Sequence, residues 1–275
     1  MHELLHFITV PFFVSLSMII IFGYFGIHVL EREIIFIDIA LAQMATVGSA
    51  LAFFIWHVEE NNWIAYLLAF GFTVIASYFY AVTRKRITQI PQEAIIGVSY
   101  AIAAAGALFM LGMASGGDIH MEEMLTGHIL WAGWHDLFIC LLIYGIIGLF
   151  HWVFRYRFKD ISQNYHTLSR NDTRTELWDF LFYVSLGFVI TYSVRLGGVL
   201  VVFTFLIIPA TFSALFFKKW SKRLVAAWLM GIVAIIGGLI ASFTGDFSFG
   251  PSIAAFLGLE LLVAALIMKR QSVRS

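Results

Sequence analysis

"RLGGVLVVFTFLIIPATFSALFF", residues 195 to 217, has one charged side chain, and that is its first residue. At about 1.5 Å per residue, the 22 residues after Arg195 make a helix about 33 Å long, enough to cross the hydrocarbon of a bilayer. Pro209 inside the run removes a backbone hydrogen bond and predicts a kink. Such a break persists in lipid only where protein or a cavity satisfies the freed carbonyl. The whole chain agrees with this reading. Of 275 residues, 61% are hydrophobic and 12% charged, about half the ~25% charge of a soluble domain, with a mean hydropathy of +0.89. One water-soluble core cannot bury that much apolar surface, so lipid is the solvent.

Working outward, nine runs reach spanning length: 8–30, 34–57, 62–83, 92–114, 131–154, 177–194, 196–217, 223–244 and 249–268. The expected fold is an all-α polytopic membrane protein, one transmembrane domain over 1–275. "MHELLHFITV" lacks the basic start of a cleaved signal, so the first run reads as a retained helix. The sizeable polar insert, "RYRFKDISQNYHTLSRNDTRTE", covers 155–176.

Charge then sets the direction. With the N-terminus outside and the C-terminus inside, 16 of the 17 lysines and arginines fall in inner loops and only Arg195 lies outside. Cytoplasmic loops concentrate basic residues in this way. The outer edge instead collects Glu3, Glu59, Glu60, Asp118, Glu122, Glu123 and Asp246, with His2, His6, His57, His120, His128 and His135 on or near it. That edge is either a solvated rim or an entrance that attracts divalent cations. Zero net charge without a basic patch speaks against nucleic acid, and the single Cys140 excludes an internal disulfide framework.

No G-x-x-x-x-G-K-[ST] loop is present, so the chain cannot hold ATP by that motif, and no H-E-x-x-H or G-x-S-x-G supports a hydrolase. A conduit is the better reading than an enzyme. In the second run Asp38 shares one helical stripe with Ala42, Ala45, Ser49 and Ala52, whose small side chains let neighbouring helices approach. An acid there is a functional candidate by default. Asp38 either touches what passes or holds helices together. Gln43 lies about 140° further round, with Ile39, Thr46 and Ala50, so the two do not chelate as an i,i+4 pair. Glu260, near the middle of the last run, is either a pathway group or a hydrogen-bonded packing acid. Asp136 and His135 can reach headgroup water; Met110, Met113, Met121 and Met124 are soft donors or ordinary filler.

The stretch at 195–217 resembles the permease subunits of ABC transporters that import zinc, manganese or iron, through Gly198, Leu200, Val201, Leu206, Pro209, Ala210 and Ala214. Three further segments are similar in order: "EAIIGVSYAIAAAGALFML" through Glu93, Ile96 and Gly97; "EMLTGHILW" through Leu125, Gly127 and Leu130; and "GGLIASFTGDFSFGPSIAAFLG" through Gly238, Ser242, Asp246 and Gly250. The resemblance covers roughly residues 15 to 267. It implies a bacterial inner-membrane permease with no resident cofactor, passing a divalent metal ion and paired with a second permease copy. ATP would be bound on a separate cytoplasmic subunit, and an extracytoplasmic solute-binding protein would deliver the cargo. Lys159, Asp160, Arg170 and Arg174 in the inner insert become candidates for docking the ATPase, and Asp38 and Gln43 for touching the metal in transit.

One departure matters. The resembling family reads Gly-Asp-x-x-x-His in its second helix; aligned on Gly48, this chain has Asp38 at the glycine, Ile39 at the aspartate and Gln43 at the histidine. Its inner segment also lacks the "FDpe-x-A" signature. A permease for a metal chelate or other small solute, and a proton-coupled carrier using Asp38 or Glu260, are the competing expectations.

Overall fold

The computed structural model describes residues 2–58, 62–112, 127–165 and 173–272. Among them are nine α-helices and no strand: α1 (His2–Glu31), α2 (Ile37–Trp56), α3 (Trp63–Arg86), α4 (Gln92–Gly112), α5 (Trp134–Val153), α6 (Arg155–Gln163), α7 (Thr173–Phe216), α8 (Trp220–Gly245) and α9 (Phe249–Ser272). A single 3-10 turn, Ile129–Trp131, precedes α5. All except α6 are long and apolar enough to cross a membrane.

The spanning stretch of α7, Thr175–Phe216, has 42 residues. At 1.5 Å each it is about 63 Å long, twice the hydrocarbon thickness. Its backbone leaves helical geometry at Gly198 (φ 74°, ψ 163°). The boundary expected at Arg195 therefore falls slightly later, at Gly198. Helix continues through Arg195, Pro209 sits within it, and the departure falls at the glycine, which alone tolerates that φ. Part of the polar insert is also ordered as α6.

The chain forms two compact units. The first holds Met1–Leu30, Thr126–Gly148 and Arg195–Ser275. Its middle is α1, whose Met18, Ile19, Phe22 and Phe25 are fully buried. Glycines bring the helices close: a Cβ on Gly26 would stand 1.9 Å from the Leu206 carbonyl oxygen, and one on Gly231 2.0 Å from Ile19 Cγ1. Hydrocarbon gives no hydrophobic drive for helices to associate, so contact this close supplies the attraction. Trp228 Nε1–H adds a hydrogen bond to the Ile20 carbonyl at 3.0 Å.

The second unit holds Glu31–Leu125 and Leu149–Val194. Here α2 packs on α3 and α4. A Cβ on Gly48 would lie 2.5 Å from the Leu68 carbonyl oxygen, so α2 and α3 meet backbone to backbone. The small-residue stripe is buried as expected at Asp38, Ala42, Ala45 and Ala52, with Ser49 half-buried. Large side chains such as Leu67, Ile75, Ile102 and Phe109 are exposed, as lipid-facing positions require.

Candidate functional site

Helix ends, not helix middles, carry most of the polar chemistry in the second unit. Arg32 follows α1, Arg84 ends α3, and Asp179 lies in the second turn of α7; the three meet where water is excluded. Asp179 is 1% exposed and its carboxylate is shared: Oδ1 accepts Arg32 Nη1–H at 2.9 Å, while Oδ2 pairs with Arg84 Nη1. Two guanidinium groups on one carboxylate leave an excess positive charge, which aromatic faces offset. The Arg32 Cζ stands 3.9 Å from the Phe182 ring centre and the Arg84 Cζ 3.6 Å from that of Tyr165. The Tyr165 and Tyr183 hydroxyls bond each other at 2.8 Å, and burial pushes the Tyr165 phenol above its ordinary range. Nearer the surface Lys85 pairs with Glu176 at 2.9 Å.

The same cluster fastens α6. Its buried side, Phe158, Ile161 and Ser162, repeats at helical spacing and continues at Tyr165. Arg32 Nε–H donates to Ser162 Oγ at 2.8 Å, and Arg84 Nη2–H to the Tyr165 carbonyl at 2.6 Å. Phe158 stacks on His151 at 4.0 Å, and His151 Nε2 bonds Ser185 Oγ at 2.7 Å. The opposite side of α6 presents Arg155, Tyr156, Arg157 and Asp160 to solvent. Of the four residues expected to dock an ATPase, Lys159 is half-buried and Asp160 exposed on α6. Arg174 is described by its backbone alone, in α7, and Arg170 lies outside the described residues.

At the start of α2, Asp38 is 1% exposed, and neither carboxylate oxygen meets hydrogen-bond geometry with any group. The backbone amides of Asp38 and Ile39, at the open helix end, face it as weak hydrogen-bond donors. Gln43 is half-buried on another side of α2. In the first unit Glu260 lies half-buried on α9, both oxygens enclosed and without a hydrogen-bond partner. It lines an apolar groove of about 1040 Å³ shared with Phe212, Lys222, Leu229 and Phe256. Pro209 is buried within α7, three residues beyond the Leu206 carbonyl that Gly26 approaches. Asp136 is a local cap, its Oδ2 accepting the Gly133 N–H at 2.9 Å. His120, Met113, Met121 and Met124 lie outside the described residues. Among the described residues, no three or more of His, Cys, Asp and Glu come together in a group able to hold a metal.

The profile of the ABC 3 transport family matches residues 5–269. The chain belongs to that family. It is 22% identical over 260 residues to the "Probable metal transport system membrane protein" of Chlamydia pneumoniae, covering 90% of this chain and 84% of that one. It is 24% identical over 236 residues to the high-affinity zinc uptake system membrane protein ZnuB of Haemophilus influenzae, covering 84% of this chain and 87% of that one. Among solved structures it resembles PsaBC from Streptococcus pneumoniae in complex with Fab, at a TM-score of 0.77 and 20% identity over 94% of this chain and 91% of that one. That likeness shows the fold.

Members of the ABC 3 transport family are membrane subunits and not themselves ATPases, which agrees with the missing phosphate-binding loop. Sequence reasoning about this family member missed the buried Arg32–Asp179–Arg84 cluster. The arginines looked like ordinary inner-loop charge, and Asp179 like the flank of a span. The aromatic residues around them, Phe158, Tyr165, Phe182 and Tyr183, were the available signal.

Proposed function

We propose that the chain is the permease subunit of an ATP-binding-cassette importer for divalent metal ions, working in the bacterial plasma membrane. The observation that carries this reading is the family match over 5–269 in a chain whose helices cross a membrane; the names of the relatives in Chlamydia and Haemophilus supply the cargo class. A cytoplasmic ATPase docks on the solvent side of α6, through Lys159 and Asp160, with Arg170 and Arg174 beyond. An extracytoplasmic solute-binding protein delivers the ion, and a second permease copy completes the channel. Zinc, manganese and iron are the candidate cargoes. Asp38 is a contact for the ion in transit, Gln43 offers a weaker amide contact, and Glu260 and Pro209 are further pathway candidates. Counting α7 as two crossings gives nine, so the termini lie on opposite sides, and the basic residues of the inner loops support an outer N-terminus and an inner C-terminus.

Two experiments test the reading. Reconstituted with its ATPase, the chain will accumulate Mn2+ or Zn2+ in vesicles only when ATP is supplied. Reconstituted alone with a proton gradient, it will accumulate none, and proton-driven uptake would make it a secondary carrier. In cells, a periplasm-dependent reporter fused after Ser275 will be inactive and one fused ahead of His2 active; the reverse pattern would overturn the nine-crossing orientation.

A further inference from the structure

The groove between α8 and α9 in the first unit, bordered by Phe212 and Phe216 of α7, has a volume of about 1040 Å³. Its α8 wall runs from Lys222 to Val233, eleven helical steps or about 17 Å. One leaflet of bilayer hydrocarbon is about 15 Å deep, so the groove is as long as a single acyl chain. Its rims, Val225 and Leu229 on α8 and Leu259 and Val263 on α9, are apolar side chains left exposed. Glu260 lines the wall by its carbon stem, because both carboxyl oxygens are enclosed by protein. Along its length the groove therefore offers hydrocarbon and no open charge.

The mouth differs. Ser221 and Lys222, in the first turn of α8, line it there, and Lys218 and Lys219 are exposed just before them. Among the described residues none of these three lysines is in an ion pair. We propose that the groove seats an anionic phospholipid, one acyl chain lying between α8 and α9 and the phosphate held at Ser221 and Lys222, with Lys218 and Lys219 beside it. Lysines at the edge of the hydrocarbon attract anionic headgroups, and an apolar channel one leaflet deep fixes the chain below them. A second copy fits this face less well. Two-fold pairing about an axis along the membrane normal sets a patch against itself at the same depth, so the lysines would meet their own counterparts. A lipophilic amine fits less well too, since the Glu260 oxygens do not open into the groove. The inference goes beyond the import reading and holds whatever the cargo is.

The test is native mass spectrometry of the purified, delipidated full chain, titrated with phosphatidylglycerol or with phosphatidylcholine of the same acyl chains. The wild type will hold one phosphatidylglycerol about tenfold more tightly than phosphatidylcholine, as two or three lysines near a headgroup allow. Lys219→Gln combined with Lys222→Gln will bring the two lipids close to parity. Lys85→Gln, an equal loss of charge per site in the other unit, will keep the preference. Val263→Trp, an exposed change that fills the groove, will lose retention of both lipids. Equal binding of the two lipids by the wild type would overturn the proposal, as would an undiminished preference in the double lysine variant. Full retention by Val263→Trp would overturn the groove as the seat of the chain. So would a disulfide between two copies of Val263→Cys that the wild type, with Cys140 buried, does not form, because a second copy would then occupy this face.

Discussion

Asp179→Ala will be among the most damaging substitutions in the second unit, lowering stability by about 3–5 kcal/mol, the range for breaking one side of a buried ion pair. Removing the carboxylate leaves Arg32 and Arg84 as two buried positive charges with no anion between them. The aromatic faces of Phe182 and Tyr165 offset only part of that cost. Asp179→Asn keeps the shape and one acceptor oxygen but not the charge, so it will fall between wild type and alanine. Lys85→Ala supplies the contrast. Its pair with Glu176 is 29% and 25% exposed, and such pairs contribute about 0–1 kcal/mol. Thermal unfolding of the purified chain in one detergent checks the ranking; Asp179→Ala melting beside Lys85→Ala would mean the cluster does not hold the unit together. A second readout follows from α6. Because Arg32 and Arg84 also hold Ser162 and the Tyr165 carbonyl, loosening them frees the surface proposed to meet the ATPase. Asp179→Asn that still assembles will therefore hydrolyse ATP with less transport per ATP than wild type.

The spanning helices were legible because lipid demands about 20 consecutive apolar residues, a signal few soluble sequences imitate. The α2 stripe was legible for a similar reason: Asp38, Ala42, Ala45 and Ala52 repeat at helical spacing, and they are buried. What failed to show was anything set by contacts distant in sequence. Arg195 looked like the end of a span, yet a long charged side chain can reach the interface without breaking a helix, and the backbone departs at Gly198 instead. Pro209 looked like the kink, but its ring is compatible with helical φ, and the non-helical backbone falls at Gly198 instead. The α6 pattern was short and buried in charge, so Phe158, Ile161 and Ser162 did not stand out as one face. Arg32 and Arg84 count toward orientation wherever their side chains point, so charge counting concealed an ion cluster. Glu93 stood out through resemblance alone. Its meeting with the start of α2 spans 57 residues of chain and has no local signature.

Gly127→Ala will have the other large effect, in the first unit, at about 2–5 kcal/mol. Two costs combine. Gly127 has φ +66°, where a side chain costs about 1–2 kcal/mol. Its added Cβ would also stand 2.2 Å from Gly197 C and Gly198 N and 2.7 Å from Leu196 O. Those are backbone atoms that cannot swing aside, so the overpacking adds about 1–3 kcal/mol. The contact is more than close packing. His128 N–H donates to the Leu196 carbonyl at 2.7 Å, so the Gly127–His128 turn supplies a partner to α7 beside the irregular backbone at Gly198. Irregular backbone at membrane depth persists only when its polar groups find such partners. Gly198→Ala tests the other side of the wedge, since its φ of 74° with ψ of 163° belongs to a region open essentially to glycine. Gly145→Ala separates these effects from a general intolerance of alanine, because a Cβ there meets nothing within 4 Å and helix propensity favours it by about 0.8–1 kcal/mol. In thermal unfolding, Gly127→Ala and Gly198→Ala will both melt well below wild type, and Gly145→Ala at or above it. Equal melting of all three would mean that the turn rests against α7 without supporting it, and the irregular backbone at Gly198 would then need another source of hydrogen bonds.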